Sequence, residues 1–442
     1  MHSDFLIRSQ LRNMKKHLRR SRRRFFSPTA WKIRLVFWSG AILVGLVCVL
    51  FAELAELANE MFIEHAHENP LLPLIVTPVA LGLIAWMTKK FFHGAEGSGI
   101  PQTIAALEVK NKSAILSLKI AVGKIVLTLA GLASGASIGR EGPSVHIGAA
   151  IMHTLGRYVR FPPHYMERGL ILAGGAAGVA AAFNTPLAGI VFAIEEMSRS
   201  FEQRISGIVT TGVVLAGITA ITLLGQYYYF GQSDAAMPAF GTEWLAILIC
   251  GILGGLAGGF FSQGLIYSTR KIVPLFRSKP VIIAITFGIL LALINYFSDY
   301  RASGTGYLEA QAIIHQSGEF NPWYPLEKFA ATLASYLTGI PGGIFAPSLA
   351  TGAGVGANLG HWLPIASLDV MIMLGMVAYF SGVVQSPLTA FIIVMEMTNN
   401  QSMILSLIAT SFIAYGTSHL VCPKPLYSAL ADAFIQRHKS VK

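Results

Sequence analysis

Eight stretches of this chain hold no charged side chain and are almost wholly apolar: residues 35–52, 71–87, 125–138, 205–225, 244–265, 281–297, 370–384 and 403–419. About 20 such residues, coiled as a helix, cross the hydrocarbon core of a bilayer. Several stretches reach that length, and the others fall short or are cut by glycine and proline. Of the 442 residues 53% are hydrophobic and only 12% charged, whereas soluble domains carry about 25% charged residues. A water-soluble fold is excluded, and an all-α membrane protein is expected.

Charge is concentrated at one end. Residues 1–34 hold 11 Lys and Arg against one acid, Asp4, so almost all of the net charge of +11 lies in this arm. The positive-inside rule places such an arm on the cytoplasmic side. The apolar run that follows Arg34 is too long for a signal peptide and lacks a small-residue cleavage site. Nucleic-acid binding, the other usual meaning of a basic arm, ranks below membrane orientation. Contact with anionic lipid of the bilayer is a further role for the arm. Cys48, Cys250 and Cys422 show no paired or metal-ligand spacing.

An internal repeat organises the rest. Gly139-Arg140-Glu141-Gly142-Pro143-Ser144 is followed by Gly148-Ala149 and Leu155-Gly156, and Gly343-Ile344-Phe345-Ala346-Pro347-Ser348 by Gly352-Ala353 and Leu359-Gly360, at identical offsets from each proline. Gly97-Ser98-Gly99 corresponds to Gly304-Thr305-Gly306, and Thr185-Pro186-Leu187 with Glu195 to Ser386-Pro387-Leu388 with Glu396. Transporters often consist of two such halves in inverted topology. The expected organisation is a basic arm over 1–34, a first transmembrane repeat over 35–225, a linker over 226–242, a second repeat over 243–420, and a C-terminal helix and tail over 421–442. Both termini are expected in the cytoplasm, and the basic tail Arg437-His438-Lys439 agrees.

Each repeated motif puts glycine or proline where an apolar segment begins, so short helices should start within membrane depth. Non-helical backbone there survives only when buried in protein or lining a polar cavity. A helix N-terminus offers unpaired N–H groups and about half a positive charge, which suits an anion. Glu141 lies at such a start, and an intramembrane carboxylate is a functional candidate by default. Capping the helix is its alternative role, but the repeat puts Phe345 at the equivalent position, so the cap is dispensable. A carboxylate there competes with an anion for the same helix end, and protonation releases it.

Glu195 pairs with Glu396 in the repeat, which suggests a shared structural role. Glu196 pairs with Met397, so it is the better candidate for handling protons on one side, against a surface carboxylate near Arg199 and Arg204. Lys124 and Arg140 either raise the potential along an anion path or serve as snorkelling or ion-paired residues. His146 and His153 share a helix face but lack a carboxylate partner and are expected to pack. Glu64-His65-Ala66-His67-Glu68 is expected to be a solvated loop, not a metal site. Neither a His-Glu-x-x-His nor a Gly-x-Ser-x-Gly motif occurs, so an intramembrane enzyme is not expected.

These motifs resemble a family. Gly97-Ser98-Gly99-Ile100-Pro101, Gly139-Arg140-Glu141-Gly142-Pro143 and Gly343-Ile344-Phe345-Ala346-Pro347 are similar to the signature loops of CLC chloride channels and transporters, and Lys424-Pro425-Leu426-Tyr427 resembles the start of their final helix. The resemblance implies a CLC-like fold of tilted and broken helices and an anion site made by the Ser98 and Tyr427 hydroxyls with the backbone amides of Ile344 and Phe345. Gly99, Arg140, Gly142 and Lys124 support the anion path on this reading. Hydroxyl and amide donors hold chloride without trapping it. Glu141 matches the family's external gating glutamate and Glu196 its internal proton-transfer glutamate.

Ser98 argues for chloride, since nitrate-selecting members carry proline there and fluoride exporters depart from the loop altogether. An acid at Glu196 favours exchange of chloride for protons over a passive channel with the same pore. Only 15 residues follow Tyr427, so the regulatory domains common to eukaryotic members are not expected, and a bacterial inner-membrane protein is. A homodimer with one pore per subunit is implied by resemblance, and no cofactor or metal is.

Overall fold

The computed structural model describes residues 28–158, 165–198, 203–225, 228–237 and 241–439. Most of the basic arm, Arg199, and the side chains of Arg204 and of the tail residues 437–439 lie outside the described residues. Seventeen α-helices make up the described fold. The first half holds α1 (Pro28–Glu68), α2 (Pro73–Phe91), α3 (Ile100–Glu108), α4 (Leu118–Leu132), α5 (Glu141–Tyr158), α6 (Tyr165–Phe183), α7 (Pro186–Phe192) and α8 (Gln203–Leu224). The second holds α9 (Trp244–Ser278), α10 (Pro280–Phe297), α11 (Tyr307–Ile314), α12 (Tyr324–Leu337), α13 (Phe345–Trp362), α14 (Leu368–Val384), α15 (Pro387–Met397), α16 (Ile404–Val421) and, last, α17 (Leu426–Lys439).

Among the described residues, seven helical stretches are long and apolar enough to cross a membrane. They divide by burial from the inner helices. On α1, Leu35, Ile42, Leu46, Leu50 and Leu57 are exposed, and their spacing of four and seven residues draws one apolar stripe along the helix. Water would not tolerate so long an apolar face, and lipid would. In α14, by contrast, every residue from Val370 to Val384 is buried. A helix apolar on all sides and buried on all sides belongs at the centre.

The sequence explains where these helices begin. Proline stands in the first turn of α2, α3, α7, α10, α12 and α15, where its missing N–H is not needed. Gly99 precedes α3 at φ 104° and Gly306 precedes α11 at φ 77°, left-handed conformations that a Cβ disfavours. The two repeats thus use one device to break the chain and restart it. The run over 125–138 lies in α4 as far as Leu132 and leaves the helix after it; α4 begins at Leu118, where Ile120 N donates to Ser117 Oγ. Lys124 had interrupted the apolar pattern there without interrupting the helix.

One correction concerns residues 64–68, which are the last turn of α1 and not a loop. No glycine or proline intervenes before Pro70, so the helix simply continues. His65 Nδ1 bonds the Met61 carbonyl, and His67 stands 3.9 Å from Asp299.

The inner helices cross at glycine. A methyl group on Gly174 of α6 would sit 2.3 Å from the Gly148 carbonyl oxygen of α5, and one on Gly375 of α14 would sit 2.3 Å from Gly356 Cα of α13. Such contact lets two backbones approach without a side chain between them. Overpacking of this kind costs about 1–3 kcal/mol or more. Gly174→Val is therefore expected to lower the melting temperature of detergent-solubilised protein by several degrees. Gly264→Val, on α9 with nothing within 4 Å of its Cβ position, is expected to leave it unchanged.

Candidate ion-binding site

The two signature loops pair with each other at the centre. Gly139 N donates to Gly343 O and Gly343 N donates to Gly139 O, each at 2.7 Å. A second matched pair runs from Gly97 N to Ile340 O and from Gly304 N to Ala136 O, both at 3.1 Å. Backbone that is neither helix nor sheet is thereby satisfied at the heart of the bundle, where an unpaired group would cost several kcal/mol. These bonds fix the starts of α5 and α13 side by side.

Ser98, at the start of α3, faces them. A methyl group on Gly142 would sit 2.2 Å from Ser98 Oγ, and one on Gly99 would sit 2.8 Å from the Gly142 carbonyl oxygen. Glycine at both positions lets α3 and α5 meet end to end. The fourth N-terminus is that of α17, whose Tyr427 ring stacks on Phe345 at a centroid distance of 6.0 Å. The Tyr427 hydroxyl is turned toward Ser98. Ser98, Ile344, Phe345 and Tyr427 are all buried, so the structure brings together the four residues expected to bind the anion.

The Ser98 and Tyr427 hydroxyls face each other, and neither closes a hydrogen bond to any other described group. Two buried hydroxyls without other partners are rare in a finished core. Beside them, the first N–H groups of α13 lack acceptors within their own helix, and Ile344 brings no side-chain cap.

Glu141 is buried, and its carboxylate faces the backbone N–H groups of Arg140, Glu141 itself and Ala346 without closing a hydrogen bond. One oxygen lies where a side chain on Gly139 would be, 2.3 Å from that Cβ position. The carboxylate thus lies against the N-termini of both α5 and α13. Glu196 is also buried and accepts a hydrogen bond from Ser386 Oγ. It sits on a π-helical turn, Ala193–Ser198, that continues α7, an irregularity frequent at functional sites. Tyr427 lies within electrostatic reach of both carboxylates.

Glu195 and Glu396 do different work. Glu195 accepts from the N–H groups of Leu388 and Thr389 at the start of α15, and Glu396 accepts from those of Leu187 and Ala188 at the start of α7. Each repeat caps the other's helix, which is why the sequence keeps this acid twice. Ser386 precedes α15 but does not cap it. Its hydroxyl is left for Glu196, a link that the matched Thr185-Pro186 and Ser386-Pro387 pairs alone did not reveal.

Arg140 and Lys124 are both engaged. Arg140 pairs with Glu56 at 3.0 Å, donates to the Ala52 carbonyl and lies over the Tyr229 ring at 5.3 Å. Lys124 Nζ donates to the carbonyls of Ala95 and Gly97, each at 2.8 Å. Lys328 repeats this in the second half, donating to Ala302, Ser303 and Gly304. Sequence reasoning missed Lys328, although its place ahead of the second signature loop matches that of Lys124 ahead of the first. His146 Nε2 bonds the Ile115 carbonyl and His153 Nε2 bonds Ser113 Oγ, both at 3.1 Å. Among the described residues no cluster of three or more metal-ligating side chains occurs.

Helix ends gathered around unpaired donors, inside a bundle of membrane-length helices, define a protein that moves small ions across a membrane. Residues 80–419 match the family described as voltage gated chloride channel, and the chain belongs to that family of transport proteins, the CLC family. The chain is 30% identical over 436 residues to the H(+)/Cl(-) exchange transporter ClcA of Vibrio vulnificus strain YJ016, covering 94% of this chain and 93% of that protein. It is 32% identical over 397 residues to the transporter of that name from Yersinia pestis bv. Antiqua strain Angola, covering 84% and 80%. Among solved structures, a slow cyanobacterial Cl-/H+ antiporter superposes with a TM-score of 0.78 at 26% identity, covering 91% of this chain and 99% of that one. A CLC-type fluoride/proton antiporter shares the fold with a TM-score of 0.77 at 22% identity, covering 89% and 96%.

Replacing either buried lysine tests its anchoring role. Lys124→Met leaves two loop carbonyls without their donor and Lys328→Met leaves three. At about 1–3 kcal/mol for each buried unsatisfied group, both variants are expected to melt several degrees below wild type. Arginine at either position is expected to restore part of the loss.

Proposed function

We propose that this protein exchanges chloride for protons, with Glu141 as the gate on the anion path and Glu196 as the proton-transfer group on the other side. The observation that carries this reading is the pair of facing hydroxyls, Ser98 and Tyr427, with no other partner beside the open N-terminus of α13. They form an anion site built from partial charges, and a buried carboxylate stands directly beside it. The similarity to ClcA transporters over nearly the whole chain supports the same reading.

In the proposed cycle, chloride sits between the Ser98 and Tyr427 hydroxyls and the amides of Ile344 and Phe345. Glu141, while ionised, holds the adjoining position at the helix ends and keeps chloride from passing. A proton arriving from one side neutralises it. The neutral side chain no longer gains from the N-terminal dipoles of α5 and α13, so it swings out and chloride takes its place. The proton reaches the opposite side through Glu196, with Tyr427 between the two acids. Ser386 holds the Glu196 carboxyl in one orientation. Gly99 and Gly142 let the helix ends approach, while Arg140 and Lys124 hold the loops in place.

Chloride and the proton move in opposite directions, so each turn of the cycle carries net charge and responds to voltage, at about 2.3 kcal/mol per charge per 100 mV. The setting we propose is a bacterial inner membrane with both termini in the cytoplasm and two subunits, each with its own pore. The domain limits expected from the sequence go with this arrangement.

Proton uptake by liposomes holding purified protein, driven only by a chloride gradient, tests the assignment. Wild type is expected to move protons uphill. Glu196→Gln is expected to lower that coupled flux by roughly 100-fold, the scale of losing a positioned acid, while chloride still passes. Glu141→Gln is expected to abolish coupling and leave chloride flux insensitive to pH. Chloride movement without linked protons in the wild type would identify a passive channel.

A further inference from the structure

The sequence motifs left Tyr336 unassigned, and the structure places it at the site. It lies in the last turn of α12 and points at the loop that carries Ser98. A methyl group on Gly97 would stand 3.2 Å from the Tyr336 hydroxyl oxygen. Gly97 needs its left-handed backbone, φ 66°, and its carbonyl is held by Lys124 Nζ and by Gly342 N. The loop therefore cannot turn away from the tyrosine. Tyr336 and Tyr427 lie within electrostatic reach of one another.

Ser98 and Tyr427 are fully buried, while Tyr336 as a whole residue is half-buried and its hydroxyl end is enclosed by the protein. Among the described residues none makes a hydrogen bond to the Tyr336 hydroxyl. Ser98 is thus flanked by the Gly142 turn of α5 on one side and by the Gly97–Tyr336 contact on the other. On the proposed anion path, the Tyr336 hydroxyl stands beside the loop that carries Ser98, next to the closed pair. A hydroxyl donor is the right group there, because it replaces part of an anion's hydration shell without adding a charge that would hold the ion back.

We infer that Tyr336 is a third anion-contacting hydroxyl, donating a hydrogen bond to chloride as it enters or leaves the Ser98–Tyr427 site and setting preference among anions. The inference rests on the proposed anion path. It adds a residue that belongs to this chain's own sequence, at the end of a helix that none of the signature motifs includes.

Tyr336→Phe removes one oxygen atom and keeps the ring. Flux into liposomes is measured at varied chloride and at varied thiocyanate, with the proton coupling and the melting temperature of the same preparations. The loss of one neutral hydrogen bond corresponds to about a five-fold rise in half-saturating chloride. Thiocyanate, which is weakly hydrated, should be affected less, so preference shifts toward it by several-fold. Coupling and melting temperature are expected to match wild type.

In a double-mutant cycle with Tyr427→Phe, the two losses should be non-additive if both hydroxyls meet one ion. Unchanged half-saturation and unchanged preference in folded Tyr336→Phe overturn the inference. So does an equal change for both anions with a lowered melting temperature, since that reports packing alone. Should Tyr336→Phe not fold, Tyr336→Met is measured in its place, and the same outcomes support or overturn the inference. Failure of the proposed path itself is read separately, in the wild type, as anion flux that does not saturate.

Discussion

The reciprocal hydrogen bonds between Gly139 and Gly343 are the constraint on which the rest of this structure depends. A membrane protein can leave helical geometry only where every backbone group finds a partner inside the protein. Here each broken loop is the partner of the other. Because the bonds are reciprocal, neither repeat can hold its break alone, and the two halves are joined at the point where both are weakest. The starts of α5 and α13 are consequently fixed face to face, with their unpaired N–H groups turned into one small volume. Chemistry at that point follows from architecture, since no separate binding element is added.

The remaining polar groups of the inner bundle divide by symmetry. Lys124 and Lys328, and Glu195 and Glu396, occur in both halves, and each binds backbone carbonyls or backbone N–H groups. These pairs hold loops and helix starts. Glu141 and Glu196 lack an equivalent of like chemistry, with Phe345 and Met397 opposite them, whereas Ser98 has another hydroxyl, Thr305, at its matched position. An inverted repeat with identical halves would present the same surface to both sides of the membrane. In the proposed cycle, direction requires a difference between the halves, and Glu141 and Glu196 supply it.

Much of this was legible in the sequence. The repeat, the broken starts of α3, α5 and α13, and the gathering of Ser98, Ile344, Phe345 and Tyr427 all follow from glycine and proline at matched offsets in apolar sequence, together with the family resemblance. The burial of Glu196 was less legible, because a carboxylate near the end of an apolar helix suits an aqueous interface equally well. Ser386 and Tyr336 were not visible, because their roles rest on contacts between residues far apart in the chain, or on a ring's direction at the end of α12. Residues 64–68 misled for a simpler reason. A run of Glu and His looks like a loop until the unbroken helical period of α1 is followed through it.

On the proposed function, the lysines explain why the site can release the ion it binds. Two buried ammonium groups near a chloride path would hold the ion strongly if they faced it, since Coulomb attraction grows as the dielectric falls. In this fold Lys124 and Lys328 are directed at two and three carbonyl oxygens, respectively, so their charge is taken up by the loops. Arg140 is likewise matched by Glu56. What remains facing the ion is a set of hydroxyl and amide dipoles, strong enough to replace water and weak enough to let go. A full positive charge is excluded from contact with the ion by the same bonds that hold the helix ends in place. In the proposed cycle the gate then needs only one ionisable group, Glu141, whose own charge competes for those dipoles and is removed by one proton.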